Sequence, residues 1–184
     1  CALQGAERTL QILFLWSFWM ISCRDCALRL ISFKDRTQKE IYERLKEKGY
    51  TDEQIFGEIK FLKEYGYIDD VRYAQRYVKD CITIKKWGMH RIKAELLRRG
   101  IDRETIESAL DAAEEETGAA LYSEMKKRFS GADMKSPKER RRIFSYFARR
   151  GFAAEKIRGA MNELCSFEDI VSEEEFKEVE NNWL

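Results

Sequence analysis

The chain has 184 residues, 34 basic against 33 acidic, for a net charge of +1, and 36% of its residues are charged. A protein that simply coats nucleic acid would be more basic. So much charge beside 44% hydrophobic residues implies a large surface over a thin core, as in an array of small helical units. There is a single proline, Pro137, which fits long, seldom broken helices.

The segment Thr9 to Cys23 carries no charge and is rich in Leu, Ile, Phe and Trp. As a helix it would reach about 22 Å, short of the ~30 Å hydrocarbon core, so a membrane span is not expected. Arg8 precedes the apolar run as in a signal peptide, but Ser22, Cys23 and Arg24 make a poor cleavage site. A first helix packed on the helices downstream of it is the preferred expectation. The chain opens with Cys1, and a truncated or mis-started reading frame, with Met20 as an alternative start, is a further expectation.

From there a register of 51 residues organises the sequence. Gly49, Gly100 and Gly151 recur at that interval, each followed by an apolar residue: Tyr50, Ile101 and Phe152. Ile41, Ile92 and Ile143 align, as do Leu45, Leu96 and Phe147, and Ile55, Ile106 and Ile157. Such a period marks a tandem supersecondary unit. Apolar residues four apart share a helix face, so each unit reads as helix, turn, helix, with the glycine closing the middle helix in the left-handed region.

Start signals agree: Thr37 with Glu40 and Ser136 with Glu139 read as capping boxes, and Pro137 falls at a first helical position. Thr51 with Gln54, and Asp102, cap the third helices. A further helix precedes each pair: from about Arg24 through Ala27, Leu28 and Ile31; then Tyr73, Ala74, Tyr77, Val78 and Cys81 after Asp69 or Asp70; then Leu121, Met125 and Phe129. The expectation is an all-α fold, three tandem three-helix repeats in an elongated, curved array. Its parts are an apolar extension over 1–23, repeats over 24–66, 67–114 and 115–166, and an acidic tail over 167–184.

Catalytic and metal-binding signatures are sparse. Cys23 and Cys26 form a lone C-x-x-C, while Cys81, His90 and Cys165 are scattered. A structural zinc site needs four ligands, so two small helical residues, one buried, is the expectation. An odd count of five cysteines argues against a disulfide framework and for a reducing, cytoplasmic setting. His90, the one histidine, has no nucleophile or carboxylate arranged with it and reads as a surface or capping residue. No phosphate loop occurs. The expectation is no enzyme and no cofactor. Tyr65, Tyr67, Tyr73 and Tyr77, at helical spacing, are expected in the core.

The basic residues are the binding candidates. Arg91, Lys93, Arg98 and Arg99 lie on the middle helix of the second repeat, and Arg140, Arg141, Arg142, Arg149 and Arg150 on that of the third, near Lys135 and Lys138. Equivalent faces in an array line up, which allows a basic stripe. In the first repeat Lys39, Arg44, Lys46 and Lys48 alternate with Glu40, Glu43 and Glu47, an ordinary solvated face.

The block Gly66, Tyr67, Ile68, Asp69, Asp70, Val71, Arg72, Tyr73, Ala74 resembles the signature of the RecX family. Gly88, Arg91-Ile92, Glu95-Leu96 and Arg99-Gly100-Ile101 continue the likeness, and Ala27 to Ile31 with Glu40 and Leu45 resemble that family's first repeat. It covers roughly residues 24 to 165 and is most specific from Gly66 to Leu110. The resemblance implies a cytoplasmic regulator, expected to be monomeric, that binds the RecA recombinase along its filament on single-stranded DNA. It implies inhibition of the ATPase, strand-exchange and coprotease activities, with some relatives also contacting DNA. The signature block is expected to be structural, Tyr67 and Ile68 packing between units. Alternatives are a helix-turn-helix binder of single- or double-stranded DNA and a general scaffold for protein partners.

Overall fold

The computed structural model describes residues 21–134 and 136–164. The expected packing of Thr9 to Cys23 falls almost wholly outside them, as do Lys135, Cys165 and the acidic tail from Glu173. Among the described residues the chain is helical throughout its regular structure: α1 (Cys23–Phe33), α2 (Gln38–Glu47), α3 (Asp52–Glu64), α4 (Asp70–Thr83), α5 (Met89–Arg98), α6 (Arg103–Asp111), α7 (Glu114–Phe129), α8 (Pro137–Arg149) and α9 (Ala154–Leu164). They fall into two compact units that divide after Asp69.

The first unit holds α1 to α3. Its core is Cys26, Ala27, Ile41, Leu45, Ile55, Ile59, Leu62 and Ile68, most of them wholly buried. Each large aliphatic side chain so buried contributes ~1.5–3 kcal/mol. The Ser22 hydroxyl accepts from the Asp25 amide at 3.0 Å, and Thr37 accepts from Glu40 at 3.2 Å. Thr51 and Gln54 form a complete reciprocal capping box.

The second unit holds α4 to α9 around two cores. One gathers Ala74, Val78, Cys81, Ile82, Ile92, Leu96, Ile101, Ile106, Ala109 and Leu110. The other gathers Leu121, Met125, Phe129, Ile143, Phe144, Phe147, Phe152, Ile157, Ala160 and Met161. Helix α4 packs on both α6 and α7, which joins the second group of three helices to the third.

The recurring glycines close the middle helices as expected. Gly49, Gly100 and Gly151 have φ of 88, 81 and 86°. At each, the glycine amide and the next amide reach back into the last turn: Gly49 to Lys46 and Tyr50 to Leu45, Gly100 to Leu97 and Ile101 to Leu96, Gly151 to Ala148 and Phe152 to Phe147. This paired return needs the left-handed backbone that glycine adopts without a Cβ clash.

Two sequence expectations are corrected. Ser136 stands at the N-cap of α8 but its side chain makes no capping hydrogen bond; Glu139 instead pairs with Arg142 at 3.0 Å. Tyr65 and Tyr67 are exposed, at 68% and 52%. They follow the end of α3, where the chain turns at Gly66, so helical spacing no longer governs their direction. They gather on Phe61, with ring centroids 4.5 and 6.3 Å away. Of the signature block, Ile68 and Ala74 are the buried members.

Candidate functional site

The expected basic residues divide by what their side chains touch. Arg140 is 7% exposed and is no part of an accessible stripe. Its position on α8, three residues before Ile143 and four before Phe144, sets it on the packed face. Arg99 is also largely enclosed: its side chain is 19% exposed, Nη1 donates to the Tyr73 hydroxyl at 2.8 Å, and Nη2 lies 3.4 Å from Glu95. Arg98 is exposed and grips Glu95 at 2.6 Å. Glu95 is held below the usual glutamate range, first by its hydrogen bond from Arg98. Lys93 pairs with Glu107 at 3.0 Å. These paired charges form an ordinary solvated face.

A different arrangement surrounds the start of α5. Its N-cap, Gly88, has no side chain to satisfy the helix's first amides, unlike Thr37, Thr51 and Asp102 at other helix starts. The end of α8 serves instead. The Gly88 amide donates to the Arg150 carbonyl at 2.8 Å and the His90 amide to the Gly151 carbonyl at 3.0 Å. A Cβ on Gly88 would lie 2.2 Å from the Phe152 amide nitrogen, and one on Gly151 would lie 2.5 Å from Arg91. The positive end of one helix thus meets the negative end of the other, a favourable pairing.

Arg150 locks this seam. Its Nη1 donates to the carbonyls of Lys85 and Lys86 at 2.9 and 3.3 Å, and its guanidinium stands 4.6 Å from the Tyr146 ring. The loop so held carries Lys85, Lys86 and Trp87. Lys85 Nζ lies over both Tyr77 and Trp87, at 4.9 and 4.4 Å, and the Arg91 guanidinium lies 4.1 Å over Trp87. Arg149, next to Arg150, is exposed. Among the described residues none of Lys85, Lys86, Arg91 and Arg149 forms an ion pair with a carboxylate. Burial pushes the Tyr77 hydroxyl up to about 12, so it stays neutral beneath these cations.

The sequence reading named Arg91, Arg149 and Arg150 but missed Lys85, Lys86 and Trp87. The signal available was local: two lysines and a tryptophan before a glycine that no helix interior requires. What brings them to Arg150 at the end of α8 is pairing across more than sixty residues, which no local pattern shows.

The cysteines and the histidine offer little chemistry. Cys26 is buried and Cys23 half-buried, and burial pushes the Cys23 and Cys81 thiols up, away from the reactive thiolate. His90 is exposed, tied to the seam through its backbone. Among the described residues no cluster of His, Cys, Asp or Glu could hold a metal ion, and no helix is long and apolar enough to cross a membrane.

Comparison with known proteins bears on the whole arrangement. Residues 23–62 match the family model described as RecX, first three-helix domain, and residues 69–110 match RecX, second three-helix domain. The regulatory protein RecX of Vibrio vulnificus is 32% identical over 144 residues, spanning 78% of this chain and 94% of that protein. The regulatory protein RecX of Clostridium botulinum (strain Alaska E43 / Type E3) is 29% identical over 153 residues, spanning 81% and 71%. The crystal structure of RecX from Lactobacillus salivarius superposes with a TM-score of 0.67 at 26% identity, covering 77% of this chain and 94% of that one.

Proposed function

The chain belongs to the RecX family, and from that premise we propose that it is a regulatory protein which binds the RecA recombinase on single-stranded DNA and restrains its ATPase, strand-exchange and coprotease activities. The observation that carries this reading is the reach of the likeness: it spans 94% of a regulatory protein RecX and so takes in all three helical groups. A tandem array suits the task. Repeats present successive surfaces to a partner that itself repeats, and many modest contacts add up through effective concentration.

The protein acts stoichiometrically in the cytoplasm as a monomer, by occupying the filament rather than by chemistry of its own. The test is RecA ATPase on single-stranded DNA during titration with this protein. Inhibition that grows with occupancy and saturates at a fixed ratio to RecA supports the reading. An unchanged rate at all ratios, with the protein folded, overturns it.

A further inference from the structure

We propose that the acidic segment 173–180 of this chain docks on the loop between α4 and α5, against Ile84, Lys85, Lys86 and Arg91, and screens that patch from other partners. The inference concerns the protein by itself and does not depend on the RecA reading.

Four observations lead there. First, the chain divides its charge. Of its 34 basic and 33 acidic residues, one and seven fall in residues 165–184, so residues 1–164 carry +7 and the remainder −6. Five of those acids lie between positions 173 and 180, where Lys177 is the one cation. So dense a run repels itself and is matched by a cluster of cations. Second, the loop presents such a cluster. Among the described residues Lys85, Lys86 and Arg91 form no ion pair with a carboxylate, whereas Lys93 is answered by Glu107, Arg98 by Glu95, Arg142 by Glu139 and Lys156 by Glu114.

Third, the loop is held in shape and is not purely polar. Arg91 rests on Trp87, and Lys85 on Trp87 and Tyr77. Lys86 stands at φ 54°, in the left-handed region that glycine adopts more readily, while the Lys85 and Lys86 carbonyls accept from Arg150. A backbone strained at a lysine fits a contact made there. Beside these cations Ile84 is 75% exposed. The acidic segment has the matching character, with Phe176 and Val179 set among its acids. Fourth, the segment reaches. Helix α9 starts at Ala154, just past the Gly151 carbonyl that accepts from His90, and ends at Leu164. Its 11 residues run about 16 Å, and the chain from 164 to 173 can span up to about 30 Å.

Tethering raises the effective concentration of the segment at the loop to the order of millimolar, so contacts too weak to hold a free peptide hold this one. A partner reaches the patch by displacing the segment, and salt sets how readily it does so.

The experiment treats the full chain with a carbodiimide, which joins lysine amines to carboxylates in contact with them. Linked peptides from the monomer band are identified by mass spectrometry. Links from Lys85 or Lys86 to acids of 173–180 are expected. They should fade at about 0.5 M salt and fall about twofold or more in Arg91→Gln and in Ile84→Ser, which change exposed side chains and leave both lysines. In parallel, lysine acetylation is timed in the wild type and in Glu173→Gln/Glu174→Gln/Glu175→Gln/Glu178→Gln/Glu180→Gln. Lys85 and Lys86 should react about threefold faster in the variant, and Lys60, exposed in the first unit, at the same rate.

A monomer without links to Lys85 or Lys86 overturns the proposal, as do links confined to Lys126 and Lys127 at the end of α7. Links found only between two chains overturn it as well, since the segment would then serve a second copy. So does acetylation of Lys85 and Lys86 at equal rates in wild type and variant.

Discussion

Arg99 Nη1 donates to the hydroxyl of Tyr73 at 2.8 Å, which fixes the end of α5 against α4 across 26 residues of sequence. Its neighbour Arg98 has the same charge and shares Glu95, yet its side chain is 71% exposed against 19% for Arg99. Arg99→Ala should lower stability by about 1.5–3 kcal/mol, the range for a hydrogen bond to a charged group. Arg98→Ala should cost less, about 0–1 kcal/mol, as for an exposed ion pair. Urea unfolding of the two variants checks the contrast; equal losses would mean that enclosure does not separate them.

Gly88→Ala should be costly. The added methyl would meet backbone, not a flexible side chain, so α5 and α8 must separate. Overpacking with two strained hydrogen bonds predicts about 2–4 kcal/mol. Gly57→Ala is the comparison: it lies within α3, a Cβ there meets nothing within 4 Å, and better helix propensity should stabilise by about 1 kcal/mol. Thermal melting of both variants should show shifts of opposite sign.

Acid should weaken the second unit through two named carboxylates. Glu95 is held low by Arg98, and Asp102 by the Thr105 amide, which donates to it at 2.8 Å. A carboxylate depressed in the folded state stabilises fully above its unfolded-state value, and that contribution is lost as pH falls through the folded one. The loss should begin near pH 4.5 and continue below it. Glu95→Gln and Asp102→Asn should flatten stability against pH over that window; acid limbs parallel to the parent's would refute the assignment.

Removing residues 1–20 should spare RecA inhibition. The sequence puts the start of the first repeat at residue 24, but a cut there removes two anchors. Ser22 caps α1, and the Ile21 carbonyl accepts from the Tyr50 hydroxyl at 2.5 Å. A chain beginning at Ile21 should match the parent in melting and in RecA ATPase inhibition, while one beginning at Arg24 should melt lower. Inhibition lost in a well-folded Ile21 chain would place function in the removed segment.

How much of the fold was legible depends on distance along the chain. The helix ends at Gly49, Gly100 and Gly151 and the caps at Thr37, Thr51 and Asp102 rest on groups within six residues, and the register exposed them. Arg99, Arg140 and Arg150 look alike as letters in a basic run. Only the fold turns the first toward Tyr73, buries the second and sends the third to the Lys85 and Lys86 carbonyls. Tyr65 and Tyr67 lie beyond Glu64, the last residue of α3, where a helical period no longer governs burial.

Gly88 leaves α5 without a starter of its own, so the first turn of that helix is completed by carbonyls from the end of α8. Unravelling α8 would strip α5 of those acceptors, and the same event would free the Lys85–Trp87 loop that Arg150 holds. The second and third groups of helices therefore cannot fray one at a time as weakly linked beads. They should unfold cooperatively, and amides of α5 should exchange with solvent no more slowly than those of α8.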